Sequence, residues 1–131
     1  MRIIFRKKGL LSIFCTTAIL FISCKTFSQA SNKIYRVAKI KVDSTQLNSY
    51  LIALKEQMNE AIRVEPGVLS YHALSDKVNP CSITIFETYA DSSAYKMHIN
   101  TKHFRKYKET VKDMVLFLEL VDMNQLFKIE K

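Results

Sequence analysis

The chain has 131 residues, with 20 basic and 12 acidic side chains, a formal net charge of +8 and three cysteines. Five of the basic residues and two of the cysteines lie within the first 30 residues, which contain no acidic residue. The remaining 15 basic and 12 acidic side chains give a net charge of +3, and Cys81 stands alone. These values exclude a disulfide scaffold and indicate one domain that binds no nucleic acid.

The first 30 residues have the pattern of an export signal. Four basic residues lie within the first eight positions, and the uncharged run from Leu10 to Ile22 follows them. As a helix this run is about 20 Å long, whereas a membrane span needs roughly 20 apolar residues. Ser28 and Ala30 place small residues before a cleavage site. We predict a signal peptide over residues 1–30, so that the mature protein is periplasmic or secreted.

Cys24 offers an alternative processing route. Residues 21–24 read Phe-Ile-Ser-Cys, which is similar to a lipobox, in which the cysteine is lipidated and becomes the new N-terminus. Phe21 stands where that motif usually has leucine, and we therefore favour cleavage after Ala30. Under the alternative, the signal ends before Cys24 and the protein is a membrane-anchored lipoprotein. We expect no membrane contact apart from such an anchor.

Strand and helix patterns alternate through the rest of the chain. Apolar residues at spacings of two predict strands, and spacings of three and four predict helices. The predicted elements are strand Ile34–Val42, helix Gln46–Val64, strands Val68–Leu74 and Ser82–Tyr89, a helical region over Ser93–His98 and Lys102–Met114 interrupted at Asn100-Thr101, and a last strand or bent pair of strands over Val115–Ile129. The order β-α-β-β-α-β predicts an α+β ferredoxin-like fold, an antiparallel sheet with helices on one face.

The other face of this sheet has no helix to cover it. We expect Val37 and Ile85 to line that face, and a chain of this length has no third layer to bury them. A second copy of the chain would cover it, and the sequence therefore predicts a homodimer.

Three stretches of the predicted domain, residues 31–131, resemble the motifs of one family. Residues 65–71 read E-P-G-V-L-S-Y, residues 86–91 read F-E-T-Y-A-D, and residues 98–104 read H-I-N-T-K-H-F. In this order and spacing they are similar to the antibiotic-biosynthesis-monooxygenase (ABM) domains, which are small dimeric α+β barrels. The resemblance extends from about Ile34 to Phe127. It implies the barrel fold, a dimer and a pocket between sheet and helices.

The resemblance also implies a function. Some members are cofactor-independent monooxygenases on small aromatic or quinol-type substrates, in which a base removes a proton and the resulting anion reduces O₂ directly. We expect that activity here, with no cofactor. The alternative is a non-catalytic dimeric module of the cell envelope that binds a small apolar or aromatic molecule.

Candidate site residues follow from the needs of this chemistry, which are a base, hydrogen-bond donors and an apolar pocket. The catalytic candidates are His98, His72 and Glu87, and the pocket candidates are Tyr71, Tyr89, Phe104 and His103. His72 and Tyr71 are neighbours on one strand, so only one of them can face the pocket. The competing structural role is a backbone hydrogen bond for His98, a surface salt bridge for Glu87, and core packing for Tyr89 and Phe104.

Haem and metal sites are not expected. Lys108 stands where the haem-degrading members have their iron-binding histidine, the first strand has no asparagine, and the chain has no tryptophan. His98 and His103 are five positions apart, a spacing that does not place two side chains on one helix face. No carboxylate is expected beside them to complete a metal site.

Overall fold

Strands and helices alternate through residues 32–131, the part of the chain that the computed structural model describes. The predicted signal segment, with its alternative end before Cys24, lies outside these residues. The elements are β1 (Ile34–Val42), a 3₁₀ turn (Ser44–Gln46), α1 (Leu47–Val64), β2 (Val68–Ser75), β3 (Ser82–Tyr89), α2 (Ser92–His98), α3 (Lys102–Val111) and β4 (Val115–Met123). None of the helices in this part of the chain is long and apolar enough to span a membrane.

The four strands form one antiparallel sheet in the order β2-β3-β1-β4, and the helices pack on one of its faces. This arrangement confirms the predicted ferredoxin-like fold. The side chains of β1 alternate as expected, with Ala38, Ile40 and Val42 in the core beneath the helices. The core under α1 and α3 is completed by Ile83, Ile85, Tyr50, Leu54 and Val111.

The helix-free side of the sheet, the open face, differs from the prediction at one residue. The register pairs Ala38 with Ile85 and Val37 with Phe86. Ile85 is therefore 4% exposed in the helix-covered core, and the prediction that it lines the open face is wrong. Phe86 lies there instead and is 45% exposed. Side chains on a strand alternate between faces, so an error of one position moves a residue to the opposite side.

The last strand is a single strand and is shorter than predicted. It ends at Met123, and residues 124–131 form no regular element. Several large apolar side chains of this C-terminal part are exposed: Leu116, Phe117, Leu118, Leu120, Met123, Leu126, Phe127 and Ile129. Exposed apolar surface of this extent is typical of an interaction surface.

The break between α2 and α3 positions two histidines. Asp91 accepts a hydrogen bond from the backbone N–H of Ala94 and caps α2, and Thr101 accepts one from the N–H of Phe104 and caps α3. Helix α2 therefore ends at His98 and α3 begins at Lys102, in agreement with the predicted interruption at Asn100-Thr101. His98 ends the first helix, and His103 lies in the first turn of the second.

Candidate active site

Six of the seven predicted site residues lie together between the sheet and the helices. Five of them line a cavity of about 90 Å³: Tyr71, Glu87, Tyr89, His98 and Phe104. His103 adjoins this group through the carboxylate of Glu65. His72 lies apart, because β2 pairs Tyr71 with Glu87 on the helix-covered side and His72 with Phe86 on the open face. The structure therefore places Tyr71, and not His72, at the cavity.

The polar groups at the cavity form a continuous series of contacts, which we term the polar chain. Oε1 of Glu65 lies 2.9 Å from Nδ1 of His98, and Nε2 of His98 lies 2.9 Å from the Tyr71 hydroxyl. The Tyr71 and Tyr89 hydroxyls are 2.9 Å apart, and the Tyr89 hydroxyl is 2.9 Å from Oε2 of Glu87. His98 and Tyr89 are each 1% exposed, so bulk water cannot replace these partners.

One proton can move along the polar chain. Its four contacts need four protons, and the two hydroxyls and a neutral imidazole supply three. With Glu87 ionised, Tyr89 donates to it and His98 carries both ring protons. With Glu87 protonated, the donors reverse direction and His98 keeps only the proton that it donates to Glu65. Moving one proton along the polar chain interconverts the two protonation states.

Burial decides which state is favoured. Desolvation raises the pKa of Glu87 and lowers the pKa of His98, since it penalises the charged form of each. Both shifts favour a neutral Glu87 and a neutral His98, whose Nε2 is then free to accept a proton. Desolvation also raises the pKa values of Tyr71 and Tyr89, so their hydroxyls stay protonated and act as intermediaries.

Glu65 is a site residue that the sequence reasoning missed. It enters that reasoning only as the first residue of the E-P-G motif, with no role in the site, yet its Oε1 also lies 2.6 Å from Nε2 of His103. Ligand atoms of Glu65, His98 and His103 all lie within 4.8 Å of one another, a donor set that could hold a divalent cation. The expectation that no carboxylate joins the histidines is therefore wrong. It applied helical spacing across residues 98–103 despite the predicted break at Asn100-Thr101, and it did not consider Glu65.

Gln57 is the second residue that sequence reasoning missed. Tyr50, Leu54, Gln57 and Ala61 form the buried stripe of α1. Gln57 lies three positions after Leu54 and four before Ala61. This helical spacing is the signal that could have identified it as buried. Its polar side chain does not fit an apolar pattern, whereas the apolar side chains of Leu51 and Ile62 on the same helix are exposed.

A second space lies outside the cavity, in a groove of about 650 Å³ between α1 and α3. Gln57 and Tyr107 line both the groove and the cavity. The Tyr107 hydroxyl pairs with that of Tyr50 at 3.0 Å. The wall between the two spaces thus consists partly of these side chains, and their movement would connect the cavity to the groove.

Known proteins share the sequence pattern and the fold of this chain. Residues 33–110 match the sequence model of the antibiotic biosynthesis monooxygenases. The chain belongs to this family. An ABM-named crystal structure from Bacteroides thetaiotaomicron is 45% identical, with a TM-score of 0.73, over 76% of this chain and 95% of that one. The predicted family is confirmed.

A more distant structure shares the fold, and a more distant sequence is also similar. A structure from Nitrosomonas europaea that also carries the ABM name has a TM-score of 0.69 at 19% identity, over 75% of this chain and 94% of that one. An uncharacterized protein of Synechocystis is 28% identical over 116 residues, which are 83% of this chain and 78% of the relative.

Proposed function

We propose that this ABM protein is a cofactor-independent monooxygenase that acts on a small aromatic or quinol-type substrate. The observation that carries the proposal is the polar chain, which joins the imidazole of His98 to the carboxyl of Glu87 through two tyrosine hydroxyls beside the cavity. Such a chain can take a proton from a substrate and return it later without a metal or an organic cofactor. Membership of the family and the monooxygenase names of its structural relatives support the assignment.

His98 is the proposed base. The proton of a substrate hydroxyl passes to Nε2 of His98, either directly or through the Tyr71 hydroxyl, and Glu65 stabilises the resulting imidazolium through Nδ1. Glu65 thus acts as a positioning residue, because it fixes the tautomer that leaves Nε2 free. Glu87, at the other end of the polar chain, is the proposed proton donor for a later step.

The reaction balances without an external reductant. The quinol anion gives one electron to O₂, and the radical pair combines to form a carbon–oxygen bond and a peroxide. Cleavage of the O–O bond leaves one oxygen on the ring, and the other leaves as water with the protons that the polar chain returns. One quinol and one O₂ therefore yield one hydroxyquinone and one water.

Oxygen uptake with a panel of naphthoquinols tests the proposal. We expect uptake by the wild type and a loss of at least about 100-fold in His98→Ala, within the usual contribution of a general base. His72→Ala is the matched control, since it removes the same side chain from the open face, and it is compared only if ultracentrifugation shows that it keeps the oligomeric state of the wild type. The proposal fails if no quinol of the panel is consumed, or if the two variants lose activity equally.

The proposed assembly is a homodimer formed through the open face and the C-terminal part. Phe86 and Leu74 are 45% and 59% exposed on strands whose other side is packed. A second copy would bury these residues together with exposed residues of β4, as the family resemblance implies. The proposed location is outside the cytoplasm, and mass spectrometry of the mature N-terminus would distinguish cleavage after Ala30 from lipidation at Cys24.

A non-catalytic binding module is the second candidate, because both ring nitrogens of His98 already have partners within the protein, Glu65 and Tyr71. The cavity volume of about 90 Å³ has room for O₂ but is smaller than the roughly 300–1,000 Å³ of typical ligand pockets. This candidate predicts that a naphthoquinol raises the melting temperature without oxygen consumption. Under the oxygenase proposal, the substrate must enlarge the cavity toward the groove.

A further inference from the structure

A buried carboxamide without a partner lies between the cavity and the groove. Gln57 is 5% exposed, and within residues 32–131 neither its Nε2 nor its Oε1 has a hydrogen-bond partner. It lines both the cavity and the groove between α1 and α3. Leaving a buried amide unpaired is destabilising, and native proteins rarely do so without a bound group to satisfy it.

We propose that Gln57 binds the oxygen of an uncharged phenol or quinol that enters through the α1–α3 groove. This inference rests on the proposed function and assigns the group that recognises its substrate. A hydroxyl satisfies both ends of the carboxamide, because it can donate to Oε1 and accept from Nε2. A carboxylate or a phosphate dianion only accepts hydrogen bonds and would leave Oε1 unpaired.

The charges of the groove also favour a neutral ligand. Its rim carries two acidic and two basic residues, Glu56, Glu60, Lys102 and Lys106, so they sum to no net charge. Nζ of Lys106 lies 2.7 Å from Oε1 of Glu56 and joins α3 to α1, with the side chains 68% and 64% exposed. Exposed pairs of this kind contribute little stability, so this one can open for a ligand at low cost.

Aromatic rings lead from Gln57 toward the proposed base. Tyr107 shares the wall with Gln57, its ring centroid is 6.3 Å from that of Phe104, and the Phe104 ring is 4.6 Å from that of His98. These rings offer flat surfaces to an aromatic ligand. The Tyr107 hydroxyl is already paired with Tyr50, which leaves Gln57 as the unpaired polar group of this wall in the described residues.

Binding of β-naphthol and of naphthalene, which lacks the hydroxyl, tests the proposal. We expect the wild type to bind β-naphthol between about 5-fold and 150-fold more tightly, the range set by one buried hydrogen-bonding group. In Gln57→Leu the ratio should fall to about one or below. Asn59→Leu should keep the wild-type ratio, because it removes an exposed amide from the same helix. Without ligand, Gln57→Leu should melt at or above the wild-type temperature.

Several results would overturn the proposal. Equal binding of the two probes by the wild type would mean that Gln57 holds only water. A hydroxyl preference that survives in Gln57→Leu would place recognition elsewhere, and a lower melting temperature of the unliganded variant would show that the amide is bonded inside the protein. Gln57→Met, which keeps the side-chain length, replaces Gln57→Leu if the latter does not fold.

Oxygen uptake separates this inference from the proposed function. Hydroxyl discrimination that depends on Gln57, without uptake of oxygen, would refute the oxygenase and leave the binding role of Gln57 intact. Uptake at wild-type kcat/KM in Gln57→Leu would refute the role of Gln57 and leave the oxygenase intact.

Discussion

Replacing Gly67 by alanine should displace α2 and destabilise the domain. Gly67 is the only glycine among the described residues, and its φ is not positive, so no turn requires it. It allows β2 to approach α2 closely: a Cβ at this position would lie 2.5 Å from Cβ of Ala94 and 3.4 Å from its Cα. Carbon atoms normally pack about 3.5–4.0 Å apart, so a shift of about 1 Å is needed.

The size of this destabilisation follows from the rigidity of the contact between position 67 and Ala94. Ala94 is 5% exposed and its methyl group cannot rotate away, so the strain should be that of an overpacked core, about 1–3 kcal/mol. The alanine also restricts the unfolded chain, which offsets about 0.4–1 kcal/mol. A net decrease of about 1–2 kcal/mol in the free energy of unfolding lowers the melting temperature by about 4–16 °C for a domain of this size.

A double-mutant cycle measured by thermal and urea unfolding checks the cause. Ala94→Gly removes the clashing methyl group at a cost of up to about 1 kcal/mol in helix stability. The double variant Gly67→Ala/Ala94→Gly should then be nearly as stable as Ala94→Gly alone. Additive losses, or a Gly67→Ala variant as stable as the wild type, would refute the close-packing explanation of the glycine in the E-P-G motif.

Glu65→Gln should lower kcat/KM at least about tenfold and the free energy of unfolding by about 1.5–3 kcal/mol, because it weakens charge-assisted hydrogen bonds to His98 and His103. Unchanged kcat/KM and unchanged stability would contradict this prediction. The acid limb of the kcat/KM profile should have its midpoint below pH 6.5, because burial lowers the pKa of His98 from 6.5 and activity is lost only when the imidazole becomes charged. EDTA should not reduce oxygen uptake, and a loss restored by a divalent cation would instead assign a metal to Glu65 and the two histidines. Phe86→Lys should convert the proposed dimer to a monomer in analytical ultracentrifugation, since it places a charge in the proposed apolar interface.

Stability should also depend on His98 as the pH falls. The unfolded chain binds a proton near the ordinary pKa of 6.5, and the folded chain binds it only at lower pH. Between these values the unfolded state carries more protons, so stability is lost as the pH falls below about 6.5. His98→Gln should make the urea midpoint less sensitive to pH over this interval, and an unchanged pH dependence would contradict the shift.

The sequence alone determined the order and type of the elements and the region of the site. Periodicities of two and of three to four are local properties, and they identified β1 and β3 with the bounds that the structure shows. The three motifs also named six side chains that do converge at or beside the cavity. Their convergence follows from the fold, since the middle of β2, the end of β3, the end of α2 and the start of α3 meet at or beside the cavity.

Only the tertiary structure decided which faces and distant residues meet. Alternation assigns Tyr71 and His72 to opposite sides of a strand, and Ile85 and Phe86 likewise, but helix packing decides which side becomes the cavity. The contact of Glu65 with two histidines 33 and 38 positions away depends on where α1 ends relative to α2 and α3. Gln57 is a polar residue that its helical phase buries, because the packed face of α1 includes every residue on that stripe.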